Sequence, residues 1–474
     1  MYLLFLYSFY PSRVVLVAAQ KAVDRLKRRE TTIKKTNPFY CQVITSLVLI
    51  GSCFSAMAQD TSKTSSFWMD AAIRPRTEFR NGFKKLQPKR GANYALFTEQ
   101  RSRLKFNFTN KDIKLKLIFQ DVRIWGEVGQ INKSDGLSSV HESWAQLILN
   151  PTSSLKLGRQ ELVYDDQRLL GSLGWAAQGR SHDAIRFIHV DSTWTLHIGG
   201  AYNQGSDVVE PGRLTTNFYA PNTNVVGFAL GNPKDMEFVW LKKKVNKKVS
   251  FTALVLNTGF QTGIKDSTES VTYLTTVGLN PRIKLAEKIT LFGSYYHQLG
   301  ENVNAYLGSI NLKYGFSSKL SITIGADILS GVDSSDNVNV KNKAFNVLFG
   351  THHKFYGFMD YFYVGNGHGT GGLNDFYLKS KIKLTKKMTL LTQLHYFMTN
   401  ASIADFNGGV LNSVLGTEVD FVWVYQYKKD IVIKAGYSQL FGTSTMEVIK
   451  GGSSSALNNW AWLMIGITPQ LFKY

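Results

Sequence analysis

The chain has 474 residues, a formal net charge of +21 and a hydrophobic content of 44%. Its two cysteines, Cys41 and Cys53, both lie in the first 58 residues, so the rest of the chain can form neither a disulfide nor a thiolate metal site. Beyond residue 60 no apolar run approaches the roughly 20 residues of a membrane-spanning helix, which excludes a helical membrane protein there.

Residues 1–58 have the features of an export signal. The pair Lys34-Lys35 precedes a hydrophobic segment at 43–55, and Ala56-Met57-Ala58 has the small-residue pattern of a cleavage site. We predict a signal peptide that is cleaved near Ala58. We interpret residues 1–30 as the product of a start codon assigned too far upstream, with a long leader as the alternative.

The remaining chain is strongly basic. Residues 1–58 carry a net charge of +6, which leaves +15 on residues 59–474. An exported protein with this charge attracts anions such as acidic polysaccharides and lipid headgroups. Export argues against a nucleic-acid partner.

Residues 59–474 repeat one unit, about ten residues of alternating polarity followed by a turn or loop. Examples are 103–110, 114–121, 249–257, 289–298, 375–384 and 430–441. In the first of these, Leu104, Phe106 and Phe108 share one face, and polar residues including Arg103 and Lys105 share the other. A soluble β-sandwich also alternates, but it has fewer strands and a less aromatic apolar face.

Short turns alternate with long Gly/Asn/Ser-rich segments along the chain. The short turns are at 109–112, 317–318, 385–387 and 428–429, and the long segments are at 204–234, 331–344, 364–374 and 443–457. This pattern predicts one all-β domain at 59–474, a transmembrane antiparallel β-barrel of 16 to 18 strands with lumen-folded and external loops. A barrel of this size encloses a wet lumen.

The C-terminal segment 458–474 reads as a strand that ends in the aromatic residue Tyr474. Outer-membrane barrels end in this way, and their assembly machinery recognises the final strand. We therefore predict a lipid-embedded protein of the outer membrane of a Gram-negative bacterium.

The segment GRQELVYDDQRLLGSLGWAAQGRSHDAIRF (158–187) combines dense charge of both signs with a strand at each end. It resembles the hallmark segment of the alginate-export family of outer-membrane proteins. RTEFRNGF (76–83), EQRSRLKFNF (99–108) and FYGFMDYFYVGNGHGTGGLNDFYLK (355–379) are similar to other segments of that family. The resemblance implies an eighteen-stranded barrel whose charged lumen passes a polyanionic uronate polymer, although many members have no demonstrated substrate. It also implies a monomer.

Arginine is concentrated in the first strands of the predicted barrel. Of the thirteen arginines in residues 59–474, eleven lie between Arg74 and Arg186. Consecutive strands are usually neighbours, so we predict an arginine wall on one side of the lumen and a loop, 165–183, folded into it. The predicted pore-lining residues are Arg74, Arg76, Arg101, Arg103, Lys105, Arg123, Arg159, Arg168, Arg180, Arg186, Glu78, Asp121, Asp165, Asp166 and Asp183.

Guanidinium groups bind carboxylates in a bidentate manner and stay charged at any ordinary pH. The sequence therefore predicts a passive channel for an anionic, alginate-like polysaccharide or its oligomers. A general or nutrient porin for small anionic solutes or oligosaccharides is the alternative. The same arginines could instead form structural ladders with acidic residues and bind nothing. We expect no metal and no cofactor, because neither His352-His353 nor the glycines of 367–372 match a metal or phosphate motif. We also expect no enzymatic activity, because adjacent strand residues point to opposite faces and His141 therefore cannot readily activate its neighbours.

Overall fold

A computed structural model describes residues 65–88, 93–131, 137–203, 233–262, 270–335, 341–363, 371–405 and 407–474. The predicted leader, 1–58, with its hydrophobic segment 43–55 and the interpreted mis-start 1–30, lies outside the described residues. Within the described ranges, no helix combines the length and the apolar character needed to cross a membrane.

The described chain forms one antiparallel sheet. Its strands are β1 (Ser66–Asn81), β2 (Ala95–Thr109), β3 (Ile113–Ile124), β4 (Ser138–Asn150), β5 (Ser153–Gln160), β6 (His182–Val190), β7 (Trp194–Tyr202), β8 (Asp235–Lys244), β9 (Val249–Thr262), β10 (Ser270–Lys284), β11 (Ile289–Gly300), β12 (Asn304–Gly315), β13 (Leu320–Leu329), β14 (Leu373–Lys383), β15 (Met388–Met398), β16 (Val414–Lys428), β17 (Ile431–Gly442), β18 (Asn458–Ile467) and β19 (Gln470–Lys473). A 3-10 helix (His352–Lys354) and a short helix α1 (Ser444–Lys450) lie in the loops.

The sheet closes on itself through its first and last strands. β1 pairs with β2 on one side and with β18 and β19 on the other. Ile73 faces Ile467 on β18 and Trp68 faces Lys473 on β19, so β18 and β19 are two parts of one strand interrupted before Gln470. The result is a closed barrel of eighteen antiparallel strands, which confirms the predicted fold. Closure leaves no sheet edge with unpaired backbone groups, as a barrel in hydrocarbon requires.

The barrel has a short-turn end and a long-loop end. At the short-turn end, polar side chains cap the turns: Asn110 Oδ1 accepts from the backbone N of Asp112 and Ile113 at 2.9 and 2.7 Å. Asn246 Oδ1 accepts in the same way from Lys248 and Val249 at 2.8 and 2.9 Å. Asn and Ser favour such turns because their side chains replace a backbone acceptor, which is why these turns were predictable.

The outer face of the barrel is apolar and exposed. Ile310 and Ile324 are 59% and 61% exposed, and Phe376, Leu394 and Leu463 on other strands are also exposed. A water-soluble protein would not expose apolar side chains around a whole sheet. Such a band is what a barrel presents to the hydrocarbon of a membrane.

Part of the lumen is filled by a dry core. Towards the long-loop end, inward-facing positions are apolar as well, so Met236 and Phe238 on β8 are buried while Val239, the next residue after Phe238, is exposed. Two loops pack against these residues. We call residues 161–181 the inner loop and residues 341–363 the second inner loop; between them they supply Leu162, Tyr164, Leu169, Leu170, Phe345, Val347, Phe349, Tyr356, Tyr361 and Phe362 to the core.

Candidate functional site

The inner loop crosses the lumen from one wall to the other. Near its start, Trp240 on β8 donates from Nε1 to Asp165 at 2.9 Å, and Ser294 on β11 donates to Asp166 at 3.1 Å. Near its end, Arg74 on β1 donates to the Gly174 carbonyl at 2.5 Å. β1 and β8 are separated by many strands around the ring, so these contacts confirm the predicted folding of this loop into the lumen.

Arg168 anchors the inner loop in the dry core. Its Nη2 lies 2.8 Å from both carboxylate oxygens of Asp327 on β13, its Nε lies 2.8 Å from Asp166, and its Nη1 donates to the Tyr356 hydroxyl at 2.9 Å. Burial disfavours the charged guanidinium, but the neighbouring carboxylates outweigh this effect and raise the pKa of Arg168 above its ordinary value. The role of this predicted pore-lining residue is therefore to hold the loop.

The two aspartates of the inner loop are also engaged. Asp165 accepts from Trp240, from Thr252 on β9 and, at 3.5 Å, from Tyr296 on β11. Burial raises the pKa of Asp165, and these hydrogen bonds oppose the shift. Asp166 forms an ion pair with Arg168 and accepts a hydrogen bond from Ser294. Both carboxylates therefore help to hold the inner loop in place.

The predicted arginine wall lies on the lumen face of β1 and β2. The register places Arg74 opposite Arg101 and Asp70 opposite Lys105, and all of these positions share the face of buried Arg76. Arg103 lies on the same face of β2, where its Nε donates to Gln120 at 3.1 Å. Its Nη2 is buried and has no hydrogen-bond partner among the described residues. A buried donor without a partner is costly, and because this atom is shielded from the lumen, it can act on a passing anion only through its charge.

Arg76 and Glu78 belong to a structural ladder. Arg76 pairs with Glu78 at 2.8 Å and with Glu99 at 2.6 Å, and Arg80 completes the ladder by pairing with Glu78 at 2.9 Å. The guanidinium of Arg76 also lies over the ring of Trp175 at 4.0 Å. The ladder interpretation therefore fits this part of the wall, whereas Arg74, Arg101, Arg103 and Lys105 have no such ion pair among the described residues.

Four of the predicted pore-lining residues lie on the other face of the sheet. Asp121 faces Ser102 and Arg123 faces Gln100, which is the face of exposed Phe119, while Arg103 faces Gln120. Arg123 and Asp121 form an ion pair there. Likewise Arg159 and Asp183 form an ion pair of 2.7 Å and share the face of exposed Leu157 and Ile185. Their assignment to the lumen wall was wrong, because alternation shows which residues share a face but not which face is inside.

The remaining predicted residues extend the lumen site. Arg180 donates to the Gly350 carbonyl at 2.9 Å and so joins the two inner loops; burial lowers the pKa of Arg180 to about 10. Arg186 on β6 faces Lys156 on β5, and its Nη1 donates to the Tyr164 hydroxyl at 2.9 Å. The basic face of β1 and β2 thus continues on β5 and β6.

The sequence did not predict the second inner loop. His353 stacks on Trp175 with ring centroids 4.4 Å apart and bonds Asp360 at 2.6 Å, while the Met359 backbone N donates to Glu418 on β16 at 2.9 Å. Burial lowers the pKa of His352 to about 3, so this ring is neutral. The dense aromatic run FYGFMDYFYV at 355–364 was the available signal, since so many rings rarely suit an exposed loop.

A second basic surface, also missed, lines the short-turn half of the lumen opposite the arginine wall. We call it the lysine vestibule. Its members face inward at the short-turn ends of four strands and are Lys242 and Lys244 (β8), Arg282 and Lys284 (β10), Lys313 (β12), and Lys379, Lys381 and Lys383 (β14). The positions that face inward between them on β9, β11 and β13 are neutral.

No family model and no curated protein matches the chain. Solved structures do match. Pseudomonas aeruginosa OpdL is 12% identical with a TM-score of 0.56, covering 86% of this chain and 99% of that one. Pseudomonas aeruginosa OccK11 (OpdR) is 13% identical with a TM-score of 0.54 and coverages of 86% and 96%. The outer membrane protein opdK of the same organism is 10% identical with a TM-score of 0.53 and coverages of 86% and 99%.

At these identities the likeness concerns the fold alone. It supports an outer-membrane porin barrel and does not single out the alginate-export family. The chain has the fold of an eighteen-stranded outer-membrane porin.

Proposed function

We propose that this protein is a passive outer-membrane channel for small anionic solutes and short acidic oligosaccharides. The observation that carries the proposal is the pair of basic surfaces inside an apolar-coated barrel. The arginine wall contributes cations without ion pairs, such as Arg101 and Arg103, and the lysine vestibule faces it. Acidic residues near them are paired with basic ones, Glu78 and Glu99 with Arg76 and Glu142 with Lys116, so the unpaired charge on these walls is mostly positive.

The mechanism is electrostatic. Basic groups on both walls raise the local concentration of anions and steer them inward. Repeated weak sites let an ion leave as well as enter. The inner loop narrows the path, because it crosses the lumen between its contacts with Arg74 on β1 and Trp240 on β8.

The family resemblance predicts a more specific cargo, namely a long alginate-like polymer. The basic lumen suits a polyuronate as it suits any anion. The dry core between the inner loops and the walls favours small solutes and short oligomers, because it removes part of the lumen from the wet path.

The same proposal includes the cellular context. The protein lies in the outer membrane of a Gram-negative bacterium after removal of a signal peptide near Ala58, and it contacts lipid through its apolar outer face. The assembly machinery reads the C-terminal strand at 458–474. The barrel functions as a monomer.

The test is the reversal potential of the purified barrel in a planar bilayer under a KCl gradient. We expect chloride to be preferred over potassium and Arg103→Ala to reduce the preference. Removing a unit charge about 10 Å from a passing ion changes its energy by roughly 0.4 kcal/mol in water, which is about twofold in permeability. Galacturonate oligomers should block the current, and neutral maltose oligomers should not.

Arg123→Ala is the matched control. It also removes one arginine, from the neighbouring strand β3, but the outer-face position of Arg123 and its pairing with Asp121 predict little change. A channel without ion preference, or one blocked equally by neutral and acidic sugars, would contradict the proposed function.

A further inference from the structure

We propose that a cavity beneath the inner loop binds a hydroxylated anion the size of one sugar ring. The cavity has a volume of about 520 Å³. The inner loop forms its roof through Asp165 and Arg168, and the second inner loop contributes Phe355. Its walls are the inward faces of β8 to β14. This inference rests on the proposed function and assigns a specific site to the wall opposite the arginines.

The cavity is lined by cations that lack ion pairs. Lys242, Arg282 and Lys379 reach it from β8, β10 and β14, and among the described residues no carboxylate lies within ion-pair distance of any of them. Lys354 of the second inner loop adds a fourth positive group, with its Nζ on the Asp166 carbonyl at 3.0 Å. Cations from separate elements converge here, which is suited to a single compact anion.

The two carboxylates at the cavity cancel only part of this charge. Asp165 is held by donors from β8, β9 and β11, and Asp166 is paired with Arg168. Arg168 is also paired with Asp327. Lys242, Arg282, Lys354, Lys379 and Arg168 supply five positive charges against three negative charges from Asp165, Asp166 and Asp327, so a net charge of +2 remains for a ligand.

Aromatic rings hold two of these cations in place. The guanidinium of Arg282 lies 5.2 Å from the centre of the Phe292 ring, and the Nζ of Lys379 lies 4.2 Å from the centre of the Tyr377 ring. Cation–π contacts of this kind orient a charge without neutralising it. The ring faces are also apolar surfaces on which the C–H face of a sugar can lie.

Neutral polar groups complete the lining. They are Ser250, Thr252, Asn280, Ser294, Asn311 and Thr323. Hydroxyl and amide groups donate and accept hydrogen bonds, which fits the hydroxyls of a sugar. Cations, ring faces and neutral hydrogen-bonding groups together match a sugar acid or a sugar phosphate better than a simple ion.

The test is isothermal titration of the detergent-solubilised barrel with galacturonate, glucose 6-phosphate and glucose. We expect both acidic sugars, or one of them, to bind in preference to glucose. The double variant Arg282→Gln/Lys379→Gln should bind about tenfold more weakly or worse, because two charge-assisted contacts are lost. Lys386→Gln, in the short turn after β14 and outside the cavity lining, is the charge-matched control and should bind like the wild type.

Each outcome bears on the inference. Binding of galacturonate alone or of glucose 6-phosphate alone supports it and identifies the anionic group. Equal binding of glucose, or unchanged affinity in the double variant, overturns it. Anion preference in the bilayer without acidic-sugar binding would overturn this inference and leave the proposed function standing, whereas loss of anion preference would overturn the proposed function itself. Folding of each variant is checked by the mobility of the unheated barrel on a denaturing gel.

Discussion

Arg168 of the inner loop and Asp327 of β13 form a buried ion pair at the lumen wall. Their side chains are 3% and 1% exposed. Taking two charges out of water is costly, and such a pair stabilises a structure only when its remaining hydrogen-bonding groups are satisfied. Asp166, Tyr356 and Ser309 provide those partners for Arg168. The arrangement makes Arg168 the residue on which the position of the inner loop depends.

We predict that Arg168→Met destabilises the inner loop by about 3–5 kcal/mol, because it leaves Asp327 as an uncompensated buried charge. The measurement is urea unfolding followed by tryptophan fluorescence, to which Trp175 in the inner loop contributes. Adding Asp327→Asn to this variant should restore part of the loss.

Arg159→Met is the control for this prediction. Arg159 and Asp183 form an ion pair with similar geometry, but they are 45% and 56% exposed. An exposed pair contributes about 0–1 kcal/mol. Equal effects of the two substitutions would contradict the role given to Arg168.

At the scale of elements, the strands and short turns were predictable because their signals are local. Alternation identifies a strand from its own residues, and Asn110 caps its turn two and three residues away. The inner faces were harder to predict. In β3, Asp121 and Arg123 follow the outward parity of Phe119, and polar residues are tolerated outside near the end of a strand. Charge alone therefore did not identify the lumen side.

The second inner loop depends on contacts that a sequence does not reveal. Met359 bonds Glu418, and the Tyr361 hydroxyl donates to the Gly82 carbonyl far away in the chain. Its backbone also has positive φ at Tyr356, Asp360 and Tyr363. Bulky residues rarely adopt this conformation unless tertiary packing imposes it. The local sequence therefore does not predict the backbone conformation of this loop.

Gly357 shows how tightly the second inner loop is held. Its φ is +81°, and a Cβ there would lie 2.6 Å from the carboxylate of Glu418, which is fully buried. We predict that Gly357→Ala destabilises the loop by roughly 2–3 kcal/mol through backbone strain and crowding combined. Single-channel recordings should show a noisier and larger current as the loop leaves its position.

The variant Gly408→Ala distinguishes backbone strain from crowding as the cause of the destabilisation expected at Gly357. Gly408 has a φ of +82°, but nothing lies within 4 Å of its Cβ position. Backbone strain alone costs about 1 kcal/mol, and this residue lies outside the inner loops. A Gly408→Ala variant as perturbed as Gly357→Ala would show that crowding against Glu418 is unimportant.

At the scale of the whole molecule, charge is distributed unevenly around the barrel. The sequence places arginine in the first strands and lysine in the later ones, and the ring geometry brings the two sets to face each other across the lumen. The arginine side was predictable because its residues are close in the chain. The lysine vestibule was not, because its members come from strands far apart in sequence and each resembles an ordinary basic turn.

This distribution predicts a selectivity that depends on salt. The Debye length is about 10 Å at 0.1 M and about 3 Å at 1 M ionic strength, so charges on the lumen wall act across the path only in dilute salt. We expect the chloride-to-potassium permeability ratio to fall towards the ratio in free solution between 0.1 and 1 M KCl.

Replacing Lys244, Lys313 and Lys381 with Gln should lower the ratio at 0.1 M severalfold, given about twofold for each charge, and change it little at 1 M. Replacing Lys386, Lys387 and Lys429, which lie in short turns, removes the same charge and should have the smaller effect. Equal effects of the two sets would mean that net charge, and not the inward-facing vestibule, determines the selectivity.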